Sequence, residues 1–234
     1  MKNLVVLNLW CRPPACLPLI HGTFYDLAII DPVPGGAGYL HEVTPAFKLE
    51  HEGYKYKNIS RLIDHHPEIL TGYDYVFFVD DDYEVSPIAA MRLFETMAHN
   101  DLHLAQPALS LDSYASFPIT RHVPGLSHRI TTIVEIGAPA FSRRALGICL
   151  PSFSETYSGW GLDWVWPDLL HQHFGRPVSG IVDEAPARHC SPVSSSQWVL
   201  PDGRKPGDEL EEVLRRYDVF PRCVTYKSFK KKGC

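Results

Sequence analysis

No stretch of this chain approaches the run of about 18 apolar residues that a helical membrane span requires. The early apolar run Leu4-Val5-Val6-Leu7-Asn8-Leu9-Trp10 is too short to be a signal-peptide core with a cleavage site, and it suits a first buried strand. Cationic excess is missing as well. The 22 Lys and Arg stand against 27 Asp and Glu, for a formal net charge of −5. With no basic stripe through the body, nucleic acid is not an expected partner. Six cysteines (Cys11, Cys16, Cys149, Cys190, Cys223 and Cys234) lack the paired spacing of a metal site, which argues for reduced thiols and against zinc. These absences together point to a cytoplasmic protein. The glycine-rich stretch Pro34-Gly35-Gly36-Ala37-Gly38 opens no G-x-G-x-x-G helix and carries no Walker lysine, so it gives little support to dinucleotide or P-loop chemistry.

What is present is an ordinary globule: 45% apolar and 21% charged residues in a chain of 234, enough for one sizeable core with nothing to force a second. Val5 to Leu9 and Leu27 to Ile30 read as short strands, the second closing on Asp31-Pro32. Lys57 to Leu70 has Ile59, Leu62, Ile63 and Leu70 at mostly helical spacing, ended or kinked at Pro67. Pro87 to about His99 reads as an amphipathic helix. Leu102 to Ala105 reads as a short strand closing on Gln106-Pro107, residues 110 to 129 as a long loop, and Ile130 to Ile136 as a β-branched strand. Phe141 to Leu146 opens a short helix, Val178 to Val182 is a strand leading to Asp183-Glu184, and Asp208 to Tyr217 is a short charged helix. Strands alternating with helices predict an α/β domain with a mostly parallel central sheet flanked by helices. We divide it into a catalytic region, 1–193, and a C-terminal extension, 194–234, with a short helix and a basic tail.

Phe77-Phe78-Val79-Asp80-Asp81-Asp82 sets three carboxylates at the tip of an apolar run that begins at Asp74-Tyr75-Val76. A buried strand ending in carboxylates presents them at a sheet edge, where a hard divalent cation can bridge them to a phosphate. Such a cluster also serves as a solvated turn or a helix cap. Here Ser86-Pro87 supplies the cap separately, after the turn Tyr83-Glu84-Val85. Three clustered like charges are moreover unfavourable unless a cation or a raised pKa relieves them.

A second constellation is Tyr157-Ser158-Gly159-Trp160-Gly161-Leu162-Asp163-Trp164-Val165-Trp166-Pro167. Pro167 belongs in a helix first turn, which sets Asp163 near the N-cap. The tryptophans either pack as core or form an aromatic wall for a sugar ring, with Asp163 positioned to accept a proton from an attacking hydroxyl. Glu135 is a second carboxylate for that role, or else the partner of Arg143 or Arg144. His189 follows the late strand as a further candidate, although a lone histidine is more often a satisfied structural residue.

With the acid triplet, the tryptophan segment and the late histidine in that order, the chain resembles the GT-A superfamily of nucleotide-sugar-dependent glycosyltransferases. More narrowly, Tyr73 through Asp82, Ala105-Gln106-Pro107-Ala108-Leu109, Val134 through Arg143 and Trp160-Gly161-Leu162-Asp163 are similar to a poorly characterised GT-A-like family with plant and bacterial members. Its plant members carry a label relating them to trans-splicing of a lysine-ketoglutarate reductase transcript. The similarity covers roughly residues 55 to 190. It implies that Asp80 and Asp82 form a D-x-D that meets Mg²⁺ or Mn²⁺ and the donor diphosphate, with Asp81 beside them and His189 as a further metal ligand. It also implies that Asp163 binds or deprotonates the acceptor. Lys57 and Asp31 are the remaining candidates for contact with the donor. The short, proline-rich stretch after the first strand and the small C-terminal part depart from the pattern.

The activity expected is metal-dependent transfer of a sugar from a nucleotide-sugar donor to a hydroxyl of a glycan or lipid-linked acceptor, in surface polysaccharide biosynthesis. The loop at 110–129 is expected to close over the donor. A sugar nucleotidyltransferase would show a glycine-rich loop where Trp10-Cys11-Arg12-Pro13-Pro14 stands. A dehalogenase-type phosphatase needs Thr or Val where Glu84 stands. A non-catalytic carbohydrate-binding protein on the same fold is the remaining alternative. The basic end, Lys227 to Cys234, is either a solubilising tail or a peripheral contact with an anionic membrane surface.

Overall fold

The computed structural model describes residues 1–9, 15–33, 40, 43–192 and 198–231. The glycine-rich stretch at 34–38, the segment at 10–14 and the last three residues lie outside the described residues. Strands β1 (Asn3–Asn8), β2 (Asp26–Asp31) and β3 (Phe47–Glu50) are followed by helices α1 (Lys55–His65) and α2 (Ile69–Gly72) and then by β4 (Tyr75–Asp80). There follow β5 (Tyr83–Glu84), α3 (Pro87–Asn100), β6 (Leu104–Leu109), β7 (Leu126–Thr131), β8 (Ala140–Ser142), α4 (Arg143–Phe153), α5 (Leu162–Phe174), β9 (Ser179–His189), α6 (Pro206–Tyr217) and β10 (Thr225–Lys230).

The sheet runs β10-β7-β9-β6-β8-β4-β1-β2-β3, with β5 paired to the end of β9. The pairings give every strand along this path except β7 and β8 the same direction. This is a mixed α/β single domain around a large, mostly parallel sheet. Its inner strands are covered on both faces, so they read as continuous apolar runs. Leu4, Val6, Val76 and Phe78 pack on the layer that holds α1, α4 and α5. The alternate residues Val5, Leu7, Phe77 and Val79 pack on the α3 layer. Helix α3 starts where its cap dictates: Ser86 Oγ accepts from the Ala89 amide at 3.1 Å and Pro87 opens the first turn. Among the described residues no helix is long and apolar enough to cross a membrane.

Several boundaries differ from the sequence reading. Strand β6 continues through Pro107 to Leu109, because β8 flanks it only at Leu104 and Ala105; beyond that point Pro107 leaves no partner without a donor on that side. The strand expected at 130–136 lies instead at 126–131, and residues 132–139 form the link to β8. The expected loop at 110–129 thus ends in a strand, with a 3-10 turn at Pro118–Thr120. Strand β9 extends to His189, so Asp183 and Glu184 lie within it. Helix α5 begins before Pro167, which sits in its second turn. The basic end is not a free tail as far as Lys230, because β10 pairs with β7 at the sheet margin.

Candidate active site

The carboxyl ends of β4 and β9 carry Asp80 and His189 to one edge of the sheet, and a cavity of about 400 Å³ opens there. Its lining includes the acids Asp80, Asp82, Glu135 and Asp163 with His189, the rings of Tyr83, Phe117, Trp160 and Trp164, and Leu210 of α6. Asp80 and Asp82, together with Glu135, Asp163 and His189 from three later parts of the chain, therefore share one cavity.

Asp82 and His189 are joined twice. Tyr83 and His189 are ladder partners, and the Cys190 amide donates to the Asp82 carbonyl at 2.8 Å. The side chains then meet, with His189 Nε2 at 3.1 Å from Asp82 Oδ2 and His189 Nδ1 at 3.1 Å from the Tyr114 carbonyl. The Tyr83 ring stacks on the imidazole at 4.5 Å. Burial disfavours the imidazolium, but the Asp82 carboxylate and the Tyr114 carbonyl outweigh it and raise the His189 pKa. Asp81 turns its carbonyl the other way, to the Ala15 amide at 2.6 Å.

Asp80 has a different partner. Lys55, in the first turn of α1, brings Nζ to 2.8 Å from Asp80 Oδ1, and Nζ also donates to the carbonyls of Ile136 and Gly137. Burial raises the Asp80 pKa, opposed by the Lys55 charge. Lys57, the lysine singled out in the sequence, lies over the Tyr157 ring at 3.8 Å. Only the rotation of α1 decides between them, and the one usable signal was the position of Lys55 at the helix start. Asp31 is buried at the end of β2 and its Oδ1 accepts from the Val33 amide.

Asp163 is held by its own chain segment. Pro167 cannot donate to the carbonyl four residues earlier, so the Asp163 carbonyl accepts from the Val134 amide at 3.1 Å instead. Asp163 Oδ1 accepts from the Ile136 amide at 2.9 Å, and Gln106 Oε1 accepts from the Glu135 amide at 2.6 Å. Two carboxylates are thereby fixed side by side. Glu135 takes Thr120 Oγ1 at 3.4 Å. The arginines weighed as its partners go elsewhere, Arg143 to Asp74 and Arg144 to His173. Burial pushes Asp163 up to about 7. Burial and then the Asp163 charge push Glu135 up to about 7.

The turn before α5 is anchored by α6. Glu209 accepts from the amides of Tyr157 and Ser158 at 2.7 Å each, and Leu210 joins the cavity wall. Residues beyond 194 therefore help build the site.

A divalent cation fits this donor set in kind. Asp82 offers hard oxygen and His189 an imidazole on the same wall, and Mg²⁺ is usually held by one or two carboxylates completed by substrate phosphates. Among the described residues no three His, Cys, Asp or Glu side chains gather as a closed metal site, and Asp80 is turned to Lys55 instead.

A family described as "Protein of unknown function (DUF707)" matches residues 55–132. No curated protein matches the chain. Among solved structures, S. aureus TarS 1-349 in complex with UDP-GlcNAc is similar at a TM-score of 0.57 and 12% identity, over 93% of this chain and 65% of that one. The chain thus spans just under two thirds of that structure's length. The likeness is one of fold, and it extends over nearly the whole chain.

Proposed function

We propose that the protein is a glycosyltransferase that moves a sugar from a nucleotide-sugar donor to a hydroxyl of a glycan or lipid-linked acceptor. The observation that carries this reading is the presence, in one cavity, of the Asp82–His189 pair and the two high-pKa carboxylates Asp163 and Glu135. A fold shared with a protein that binds UDP-GlcNAc supports the donor class.

Asp82 and His189 would hold Mn²⁺ or Mg²⁺, which when bound supplies positive charge to the leaving diphosphate. Lys55 adds a fixed cation at the same wall and keeps Asp80 in place. Trp160, Trp164 and Phe117 offer apolar faces to a sugar ring and thin the water around the acceptor. Asp163 takes the proton of the acceptor hydroxyl as its oxygen bonds the anomeric carbon and the nucleoside diphosphate departs. Glu135 shares the proton through its coupling to Asp163. A cytoplasmic site, with Lys227 and Lys230 of β10 near an anionic membrane face, suits a lipid-linked acceptor of surface polysaccharide synthesis.

The test is calorimetric titration with UDP, GDP, CDP and CMP sugars, with and without Mn²⁺, on the native protein and on Asp82→Ala. Metal-dependent binding of one nucleotide class, lost in the variant, is expected. Binding of free glycans alone, unaffected by Asp82→Ala, would support the non-catalytic alternative instead.

A further inference from the structure

A second cavity of about 220 Å³ lies beyond Trp164, and that indole lines both it and the candidate active site. Helix α5 supplies one wall through Trp164, Asp168 and His171. These positions share a helix face, and Trp164 to His171 is a rise of about 10 Å. The facing wall comes from the segment after α6 and from β10, with Phe220, Arg222 and Tyr226. Phe220 is 83% exposed and Tyr226 46%, an unusual display of ring surface around a concave site. Ser179 also lines the cavity; it is buried, and its Oγ has no hydrogen-bond partner among the described residues. The Arg222 guanidinium likewise makes no hydrogen bond or ion pair among the described residues, whereas its carbonyl accepts from Trp164 Nε1 at 3.2 Å.

The composition selects the ligand. Asp168 and Asp218 outnumber the single Arg222, which disfavours a phosphate. A buried unpaired hydroxyl and a mixture of donors and acceptors disfavour an aliphatic chain. Exposed aromatic faces interleaved with both kinds of hydrogen-bonding group suit a neutral polyhydroxylated ring. Continuity across Trp164 then fixes how that ring arrives, as the next part of a molecule whose reacting hydroxyl is at Asp163.

We propose that the cavity beyond Trp164 is a second sugar subsite, and that the acceptor is an oligosaccharide spanning both cavities. This rests on the glycosyltransferase reading and narrows its acceptor from any hydroxyl compound to a glycan of more than one ring.

The experiment is a titration of the full chain with cello-, chito- and malto-oligosaccharides from monosaccharide to hexasaccharide, followed by the Trp164 indole N–H resonance. In one series, affinity is expected to rise roughly tenfold on lengthening past the first ring or two and then to level off. Phe220→Ala with Arg222→Ala, and independently His171→Ala, remove that increment while the monosaccharide response persists. Length-independent affinity, an increment untouched by these variants, or no response to any series overturns the subsite. UDP-sugar binding by the same native sample separates the two ideas: donor binding without a length increment removes only the subsite, and absence of both removes the glycosyltransferase reading too.

Discussion

The ammonium of Lys55 stands 2.8 Å from Asp80 Oδ1, with its remaining hydrogens directed to the carbonyls of Ile136 and Gly137. One side chain thus ties the start of α1 to the end of β4 and to the link that carries Glu135. Clustered acids at a sheet edge repel one another. Here the first of them faces a cation from within the chain and the third meets the His189 imidazole, so the edge has internal partners for two of its acids.

Lys55→Met is therefore expected to destabilise the protein. Lys55 is 12% exposed and Asp80 26%, and removing one partner of a fully buried pair costs about 3–5 kcal/mol. Discounted for partial exposure, roughly 2 kcal/mol is expected, or a fall in Tm of about 4–8 °C. A melt unchanged within a degree or so would show that the pair contributes nothing.

Asp163 and Glu135 make stability depend on pH in a defined direction. Each titrates near 7 in the folded chain against ordinary values of 3.8 and 4.5. The native state therefore holds more protons than the unfolded state between those limits. Their contribution to stability is full below about pH 4, falls as pH rises toward 7, and is gone above it, by several kcal/mol in total. The raised pKa values of Asp80 and His189 act with the same sign. Melts recorded across this range should show the decline, and Glu135→Gln should shallow it. If Asp163 is the base, transfer activity climbs over the same interval as the pair loses its first proton. A stability that rises from pH 5 to 7 would contradict the assignment.

The strand that ends in Asp80 was readable because an inner parallel strand is apolar on both faces, and α3 because Ser86 and Pro87 mark its start. The site was readable where chemistry is concentrated in adjacent residues, at Asp80 to Asp82 and Trp160 to Asp163. It was not readable where distant partners decide. Strand β7 looks polar, yet His128 is buried against the Phe229 ring at 4.3 Å and Arg129 against Asp183. Strand β10 looks like a basic tail because its lysines lie on an edge strand, where charge is tolerated and guards the edge. Pro167 misled for a related reason: a proline inside a helix is admissible when another amide, here that of Val134, takes the freed carbonyl.

Arg129 and Asp183 form a two-pronged pair, Nε to Oδ2 at 2.9 Å and a terminal nitrogen to Oδ1 at 3.0 Å, with both residues buried. The same guanidinium donates to the carbonyls of Ile119 and Arg121, and Asp183 accepts from the Val123 amide. Asp183→Ala is expected to cost about 3–5 kcal/mol by leaving Arg129 charged and unpaired. It should also release the segment that carries Phe117 and Thr120 over the cavity. Hydrogen exchange at Val123 should accelerate more than exchange at Val76 in the core. Equal acceleration at both would mean that the pair serves global stability alone.

Gly161 and Gly207 offer an opposed pair of substitutions. Gly161 has φ of +99° at the N-cap of α5, and a Cβ there would lie 3.0 Å from Val213 Cγ1 on α6. Side chain and backbone both object, so Gly161→Ala should cost about 1–3 kcal/mol. Because the turn is two residues from Asp163, the strain should reach the carboxylate and move the apparent pKa of activity as well as the melt. Gly207, in the first turn of α6, faces open space. Gly207→Ala should be neutral or stabilising by up to about 1 kcal/mol, through helix propensity and a less flexible unfolded chain. Thermal melts of both variants check the contrast. Equal effects would show that the left-handed turn before Asp163 is not under the constraint that its φ and its contact with α6 impose.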